Sequence, residues 1–282
     1  MTSTFPSTFP STFLYGGNVH ANGIRQHYLR YGGAGGERAA RDAVVIVPGI
    51  TSPAITWGFV GERFGRHFDT YVLDVRGRGL SSASDELDYG LDAQAADLVA
   101  FADALGLDRY AVVGHSMGGR IGIRAAAGRP RGLSKLVIID PPVSGPGRRA
   151  YPSKLPWYVD SMRLAREGCS PQQMRDFCPT WTEEQLRLRA EWLHTCDERA
   201  VVASFEGFHA DDIHQYLPAL AQDVMLMVAA RGDVLLAEDI EELRALVPGL
   251  AVSRVEDAGH MIPWDNEEGF YAAFGDFLGA RL

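Results

Sequence analysis

Short runs of apolar residues recur along the chain, with predicted helices between them. The runs at residues 43–47, 136–139 and 224–228 are continuous rather than alternating, which is typical of parallel strands buried on both faces of a sheet. Residues 92–105 have apolar positions at helical spacing, and residues 237–246 are predicted as a further helix. This alternation of strands and helices predicts an α/β fold, with a mostly parallel central sheet and helices on both faces.

The two ends of the chain have patterns of their own. Residues 13–20 and 24–31 are predicted as the strands of a hairpin, because Ala21-Asn22-Gly23 between them is a turn signal. A closing helix is predicted through residues 270–278. The chain begins with repeats of Ser-Thr-Phe-Pro, whose prolines oppose both helix and sheet, so residues 1–12 are predicted as a disordered leader.

The pattern changes between residues 141 and 218, where prolines, aromatic residues and charges are mixed. Helical spacing is present in residues 183–193, and the sheet pattern resumes only after the segment ends. We therefore expect the core of the fold in residues 13–140 and 219–282. Residues 141–218 are expected as an inserted, largely helical cap over the carboxyl edge of the sheet, where ligands bind in such folds.

Composition limits the expected partners and location. The chain has 282 residues, of which 46% are hydrophobic, and its formal net charge of −9 makes nucleic acid an unexpected partner. No segment has the apolar length of a membrane span. Cys169, Cys178 and Cys196 are odd in number and fit no metal-ligand spacing. Free thiols in a reducing cytoplasm are the simplest explanation, so we expect a cytoplasmic protein.

One stretch combines a strand, a serine flanked by glycines, and a helix. Val112-Val113 leads into Gly114-His115-Ser116-Met117-Gly118, and residues 121–127 are compatible with a helix. In this context Gly-x-Ser-x-Gly predicts a nucleophile elbow, where the serine lies on a strained turn with no room for flanking side chains. The N–H groups at the start of the helix point at the same place, which suits a developing oxyanion. Ser116 is therefore the candidate nucleophile.

A serine nucleophile needs a base, and the base needs an acid that orients it. His260 is the best of the eight histidines, because it follows a strand, lies in a glycine-bearing loop and comes last in the order Ser, Asp, His. His115 is adjacent to the serine and is interpreted as a packing residue. Two carboxylates remain for the acid: Asp140 ends the strand after the elbow helix, and Asp233 follows the next strand. Spacing alone slightly favours Asp233.

Several longer segments resemble a known family. The elbow, the loop Asp74-Val75-Arg76-Gly77-Arg78-Gly79 and the terminal Gly259-His260 resemble the α/β-hydrolase superfamily, over nearly the whole chain after Phe13. Four further segments resemble the N-formylmaleamate deformylases of aerobic nicotinate breakdown: residues 16–27, 48–57, 141–151 and 190–196. Cap sequences diverge between activities, so the matches there are more specific than the elbow.

The resemblance implies an activity and the roles of several residues. It implies release of formate from N-formylmaleamate to leave maleamate, with no cofactor and no metal. The family's triad maps onto Ser116, Asp140 and His260, which reverses the preference from spacing. The backbone N–H groups of Ile50 and Met117 are then expected to hold the oxyanion, since Ile50 lies in a strand-ending loop beside the elbow.

The implied substrate is a small anion whose carboxylate needs a cationic partner. Arg148, Arg149, Lys154 and His209 of the predicted cap are the candidates, and the sequence ranks none of them above the others.

Two alternative functions stay open at this point. A carboxylesterase or enol-lactone hydrolase acting on a small anionic substrate would use the same triad. A catalytically silent binding protein of the same fold is disfavoured, because the Ser, His and acid positions are complete. A metal hydrolase is not expected, because no His/Asp cluster has ligand spacing. The sequence does not indicate an oligomeric state.

Overall fold

The structure is a computed structural model that describes residues 11–32 and 42–282. Its strands in these ranges form one eight-stranded sheet in the order β1-β2-β4-β3-β5-β6-β7-β8. β1, β2 and β4 pair antiparallel, whereas the pairings from β4–β3 to β7–β8 are parallel. The predicted α/β fold is confirmed. The strands are β1 (Phe13–Ala21), β2 (Ile24–Tyr31), β3 (Ala43–Val47), β4 (Asp69–Leu73), β5 (Tyr110–His115), β6 (Leu133–Ile139), β7 (Asp223–Ala229) and β8 (Ala251–Val255).

Helices follow most of the strands, and four of them lie between β6 and β7. The α-helices of the described residues are α1 (Gly58–Phe64), α2 (Leu91–Ala104), α3 (Met117–Ala127), α4 (Leu155–Glu167), α5 (Pro171–Met174), α6 (Glu183–Trp192), α7 (Glu198–Ala210), α8 (Ala237–Leu246), α9 (Ile262–Asp265) and α10 (Glu267–Ala272). We call residues 141–222, which contain α4 to α7, the insert. Within the described ranges, none of these helices combines the length and apolar character needed to cross a membrane.

The central strands are covered on both faces, as their continuous apolar runs predict. Every residue of β3 and β5 is buried, and Ile46 and Val113 are 0% exposed. Burying each such side chain stabilises the fold by roughly 1.5–3 kcal/mol relative to leaving it exposed. Met162 and Leu186 of the insert belong to the same apolar core as these strands. The insert therefore packs on the sheet as part of one core.

Arg120 of α3 ties the two ends of the insert to the core. Arg120 is 2% exposed, and its guanidinium donates only to backbone carbonyl oxygens among the described residues. These belong to Pro142 at 2.9 Å, Ser144 at 3.1 Å, Gly207 at 3.0 Å and Asp211 at 2.7 Å. One arginine thus donates to four carbonyl oxygens drawn from both ends of the insert.

The predicted hairpin is confirmed, whereas the predicted closing helix is too long. Asn22 and Gly23 have φ of 48° and 76°, as a tight hairpin turn requires. The last helix, α10, begins before the predicted start and ends at Ala272. Beyond it the chain continues in turns, because Gly275 takes a left-handed φ of 50° that an α-helix does not accept.

The boundary of the predicted leader also needs correction. Residues 1–10 of that prediction lie outside the described residues. Ser11 and Thr12, however, are fixed to α1 through Glu62, whose carboxylate accepts from Ser11 Oγ at 2.5 Å and from the Thr12 N–H at 2.7 Å. Ser11 and Thr12 are therefore held by hydrogen bonds and do not belong to a disordered leader.

Two glycines allow β3, β5 and α3 to meet closely around Ser116. A Cβ on Gly118 would lie 1.9 Å from the carbonyl oxygen of Val47, at the end of β3. A Cβ on Gly114 would lie 2.2 Å from the carbonyl oxygen of Gly118. Both contacts are with backbone, which has little room to move. Glycine is therefore a steric requirement at both positions, as the elbow motif predicts.

We expect Gly118→Ala to destabilise the fold by about 3 kcal/mol or more, because the backbone of β3 must move to accept the methyl group. The matched control is Gly128→Ala at the other end of α3, where φ is −73° and the nearest atom is 3.3 Å from the added carbon. The control should change stability by less than about 1 kcal/mol. Urea unfolding measures both, and equal stability of the two variants would contradict the steric argument.

Candidate active site

Ser116 lies at the turn between β5 and α3 in a strained conformation. Its φ of 53° and ψ of −117° are unusual for a residue with a side chain. The turn is held from both sides, because the Ser116 N–H donates to the Ile139 carbonyl at 2.8 Å and the Gly119 N–H donates to the Ser116 carbonyl at 2.9 Å. The sequence-predicted nucleophile thus projects from the carboxyl edge of the sheet.

Three residues far apart in the sequence form a continuous hydrogen-bonded chain. Nε2 of His260 lies 3.0 Å from Oγ of Ser116, and Nδ1 of the same ring lies 2.7 Å from Oδ2 of Asp140. Asp140 is fully buried, and its N–H donates to the Met227 carbonyl at 2.9 Å, which extends the β6–β7 pairing by one residue. This arrangement has the contacts of a nucleophile, a base and an orienting acid.

The structure separates the two carboxylates between which the sequence left a choice. Asp140 contacts His260, whereas Asp233 is exposed at the edge of the same cavity. The hydrogen bond recorded at Asp233 is made by its carbonyl oxygen, which accepts from Arg149 at 3.0 Å. In this arrangement the Asp233 carboxylate does not orient the imidazole.

The two candidate oxyanion donors flank Ser116. Met117 is the first residue of α3, so its N–H has no partner within the helix. Ile50 lies in the loop after β3, where a Cβ on the preceding Gly49 would be 3.6 Å from Cβ of Ser116. The buried Arg78 fixes both, donating to the Ile50 carbonyl at 3.1 Å and to Sδ of Met117 at 3.4 Å. Burial lowers the pKa of Arg78 to about 10.

Tyr151 is a residue at the reacting atoms that sequence reasoning did not assign. Its hydroxyl lies 3.4 Å from Nε2 of His260 and 3.2 Å from the hydroxyl of Tyr158. Burial and the neighbouring Tyr158 raise the pKa of Tyr151 well above its ordinary value. The phenol is therefore a neutral donor beside the serine. Its only sequence signal was its place at the end of the family-like segment 141–151.

His115 supports His260 from behind, as a packing residue with one polar contact. Its Nε2 lies 2.9 Å from the His260 carbonyl oxygen, so this nitrogen carries the proton. The ring packs against Trp57 and Trp264, with centroid separations of 5.4 and 6.3 Å. Burial, together with the nearby His260, lowers the pKa of His115 to about 3. The His115 ring is therefore neutral near neutral pH.

Ser116 and His260 open into a cavity of about 350 Å³ between the sheet edge and the insert. Its lining includes the aromatic residues Trp157 and Trp181 and a single arginine, Arg189 of α6. Arg189 is 3% exposed and has no carboxylate of the described residues within ion-pair distance. The candidate nucleophile and the candidate base thus share a small cavity with one arginine.

Comparison with known proteins assigns the family. The sequence pattern described as the alpha/beta hydrolase family matches residues 44–273. The chain belongs to the alpha/beta hydrolase family. The strand–serine–helix turn, and the acid and base at the carboxyl edge of the sheet, are what a serine-dependent member of this family needs.

Known relatives align in sequence with most of this chain. The chain is 66% identical over 266 residues to N-formylmaleamate deformylase of Pseudomonas putida, covering 94% of this chain and 97% of the relative. It is 26% identical to the putative carbamate hydrolase RutD of Caulobacter vibrioides, covering 89% of this chain and 95% of the relative.

Solved structures are also similar to most of this chain. The crystal structure of the N-formylmaleamic acid deformylase Nfo from Pseudomonas putida has a TM-score of 0.86 and 53% identity, covering 92% of this chain and 99% of that one. The structure of E-2-(acetamidomethylene)succinate hydrolase has a TM-score of 0.76 at 20% identity, covering 95% of this chain and 100% of that one. The second likeness shows the shared hydrolase fold.

None of the basic residues predicted to bind substrate is part of the cavity lining. Arg149 pairs with Asp239 at 2.7 Å, and Lys154 is exposed just before α4. The His209 ring packs on Phe205 with centroids 5.3 Å apart. Arg148, which the sequence also suggested, pairs with Glu242 at 2.8 Å. The structure brings none of these four side chains to Ser116.

Sequence reasoning missed Arg189, although a signal for it was present. Arg189 lies three residues after Leu186 and next to Ala190, so helical spacing places all three on the face that α6 buries. A basic residue on the buried face of a helix is unusual and indicates a specific partner.

The pKa of His115 predicts a pH dependence of stability. The unfolded chain binds a proton on this group near pH 6.5, whereas the folded protein does so only near pH 3. Stability should therefore fall as pH drops through this window. Between pH 6.5 and 5 the wild type should lose about 2 kcal/mol more than His115→Gln, which does not titrate. Urea unfolding at the two pH values measures the difference, and parallel losses would contradict a neutral buried His115.

Proposed function

We propose that this protein hydrolyses N-formylmaleamate to maleamate and formate, with water as the only co-reactant. The observation that carries the proposal is the hydrogen-bonded chain Ser116–His260–Asp140 opening into a small cavity with one cation. It is supported by the 66% identity to the Pseudomonas putida deformylase, which covers 94% of this chain and so includes most of the insert that closes the cavity.

In the first step, Ser116 attacks the formyl carbon. Nε2 of His260 takes the Ser116 proton, and the Asp140 carboxylate stabilises the imidazolium that forms. The N–H groups of Ile50 and Met117 donate to the oxyanion, each contributing roughly 3 kcal/mol to transition-state stabilisation. The insert is assigned the role of a cap that keeps bulk water from this intermediate.

Collapse of this intermediate breaks the formyl C–N bond. His260 returns its proton to the amide nitrogen, maleamate leaves, and Ser116 carries a formyl ester. The nitrogen is a better leaving group than that of an ordinary amide, because the second carbonyl delocalises its charge.

Water completes the reaction. His260 takes a proton from the water as it attacks the formyl ester, and then gives that proton to Oγ of Ser116 as formate leaves. The atoms and charges balance with water as the sole addition, so the residues described here are sufficient for both steps.

The substrate and the nucleophile are tested together by following formate release. The wild type should release formate from N-formylmaleamate, and Ser116→Ala should lower kcat by about 10⁶-fold, to near background. Coupled formate oxidation measures the rate. Brisk hydrolysis of small esters or enol-lactones without formate release would instead favour the esterase or lactonase alternative.

The identity of the acid is tested by a matched pair of substitutions. Asp140→Asn should lower kcat by about 10⁴-fold, because the amide favours the wrong tautomer of His260. Asp233→Asn removes the same charge at the exposed edge of the cavity and should leave kcat nearly unchanged. Steady-state kinetics give kcat for the two variants. A large loss in Asp233→Asn with little change in Asp140→Asn would assign the acid to Asp233.

A further inference from the structure

Arg189 is a buried cation whose hydrogen-bonding capacity is largely unused. Among the described residues, its two terminal nitrogens reach only the carbonyl and hydroxyl oxygens of Thr51, each at the long distance of 3.4 Å. Its Nε has no hydrogen-bond partner among the described residues, although the atom is buried. A guanidinium stays charged in proteins and presents five donors. A buried cation with so few contacts is costly unless a ligand completes them.

The other buried arginines of the described chain have close hydrogen-bond or ion-pair partners. Arg30 and Arg76 form ion pairs with Asp69 and Asp97, at 2.7 and 2.6 Å. Arg78 donates to several backbone carbonyls, as Arg120 does. These guanidinia are satisfied within the protein and lie outside the cavity lining. Only Arg189 combines a position in the cavity wall with unused donors.

The surroundings of Arg189 shape a place for a flat anion. The guanidinium carbon lies 5.6 Å from the centre of the Trp157 ring and 5.7 Å from that of Trp181, so two indole rings flank it. Asp265, an acidic residue of the same cavity, is engaged elsewhere, because its carboxylate accepts from the Gly259 N–H at 2.9 Å and from Thr180 Oγ1 at 3.1 Å. Among the described residues, no ion pair of Arg189 therefore has to be displaced by a ligand.

We propose that Arg189 binds the carboxylate of the substrate and so selects an anionic acyl amide over neutral ones. The assignment rests on the proposed deformylase function. Arg189 contacts Thr51, the residue directly after the oxyanion donor Ile50, so the cation lies beside the place where the formyl oxygen is held. N-formylmaleamate carries its carboxylate a few bonds from the formyl group, and its cis double bond keeps the two ends close. A carboxylate there can accept two parallel N–H donors from the planar guanidinium.

The test compares a charged and a neutral substrate in Arg189→Met. We expect kcat/KM for N-formylmaleamate to fall about 100-fold, mainly through KM, because a buried charge-assisted contact is lost. Hydrolysis of p-nitrophenyl acetate, which has no carboxylate, should be unchanged. Equal losses on both substrates would mean that Arg189 only supports the fold, and would overturn the proposal.

The control is Arg187→Met, the same substitution two residues earlier on α6. Arg187 is exposed and pairs with Glu191 at 2.8 Å, so both activities should stay at the wild-type level. If Arg189→Met does not fold, Arg189→Lys carries the test, since it keeps the charge but loses the fork of two donors. We expect that variant to lose about 10-fold in kcat/KM for N-formylmaleamate and nothing for the neutral ester.

A second readout separates this proposal from the proposed function. Maleamate keeps the carboxylate and should inhibit p-nitrophenyl acetate hydrolysis competitively in the wild type, with an inhibition constant about 100-fold higher in Arg189→Met. The inhibition by maleamate is expected even if the wild type releases no formate. That outcome would contradict the proposed deformylase function but not the role of Arg189. Unchanged inhibition by maleamate in Arg189→Met, or in Arg189→Lys if that variant is used, would overturn the role of Arg189.

Discussion

The close approach of three backbone segments around Ser116 is the constraint on which the rest of the structure depends. The end of β3, the end of β5 and the first turn of α3 meet where Gly114 and Gly118 leave no room for a side chain. This contact fixes the φ of Ser116 at 53° and brings Ile50 and Met117 to either side of it. The loops that carry Asp140 and His260 then need only reach the same edge of the sheet.

Electrostatics at this edge depend on which groups are kept neutral. His115 packs behind His260 but carries no charge near neutral pH, so it does not repel the imidazolium that the proposed reaction forms. Tyr151 is also neutral, because burial opposes the phenolate. The side chains on which the two proposals depend are then Asp140, which contacts the base from behind, and Arg189, which lines the same cavity as Ser116 and His260.

Much of the fold was predictable because it depends on local patterns. Strands β3, β6 and β7 contain the continuous apolar runs 43–47, 136–139 and 224–228, and the turn at Ser116 needs glycine at fixed spacing. The choice between Asp140 and Asp233 was not local, since both follow strands of the sheet. It depends on the backbone of Asp140, which has a φ of 44° and extends the pairing with β7.

The side chains of the insert were harder to predict for a related reason. Helical spacing shows which residues of α6 share a face, but only the packing of the insert shows that this face closes a cavity. Arg189 was therefore not among the candidates for the cationic partner of the substrate, whereas Arg149 and Lys154 were. The final helix was overestimated because the conformation of Gly275 is not encoded in apolar spacing.

The core holds the insert through main-chain atoms. Arg120 donates to four carbonyl oxygens near the two ends of the insert, and Arg78 donates to the Ala200 carbonyl in α7 at 3.0 Å. A carbonyl oxygen is present whichever side chain the residue bears. These contacts of Arg78 and Arg120 are therefore indifferent to the side chains at the accepting positions, and they remain when cavity-facing residues of the insert change. A fold attached in this way can exchange one substrate for another by substitution in the insert, while the elbow and its proton relay stay in place.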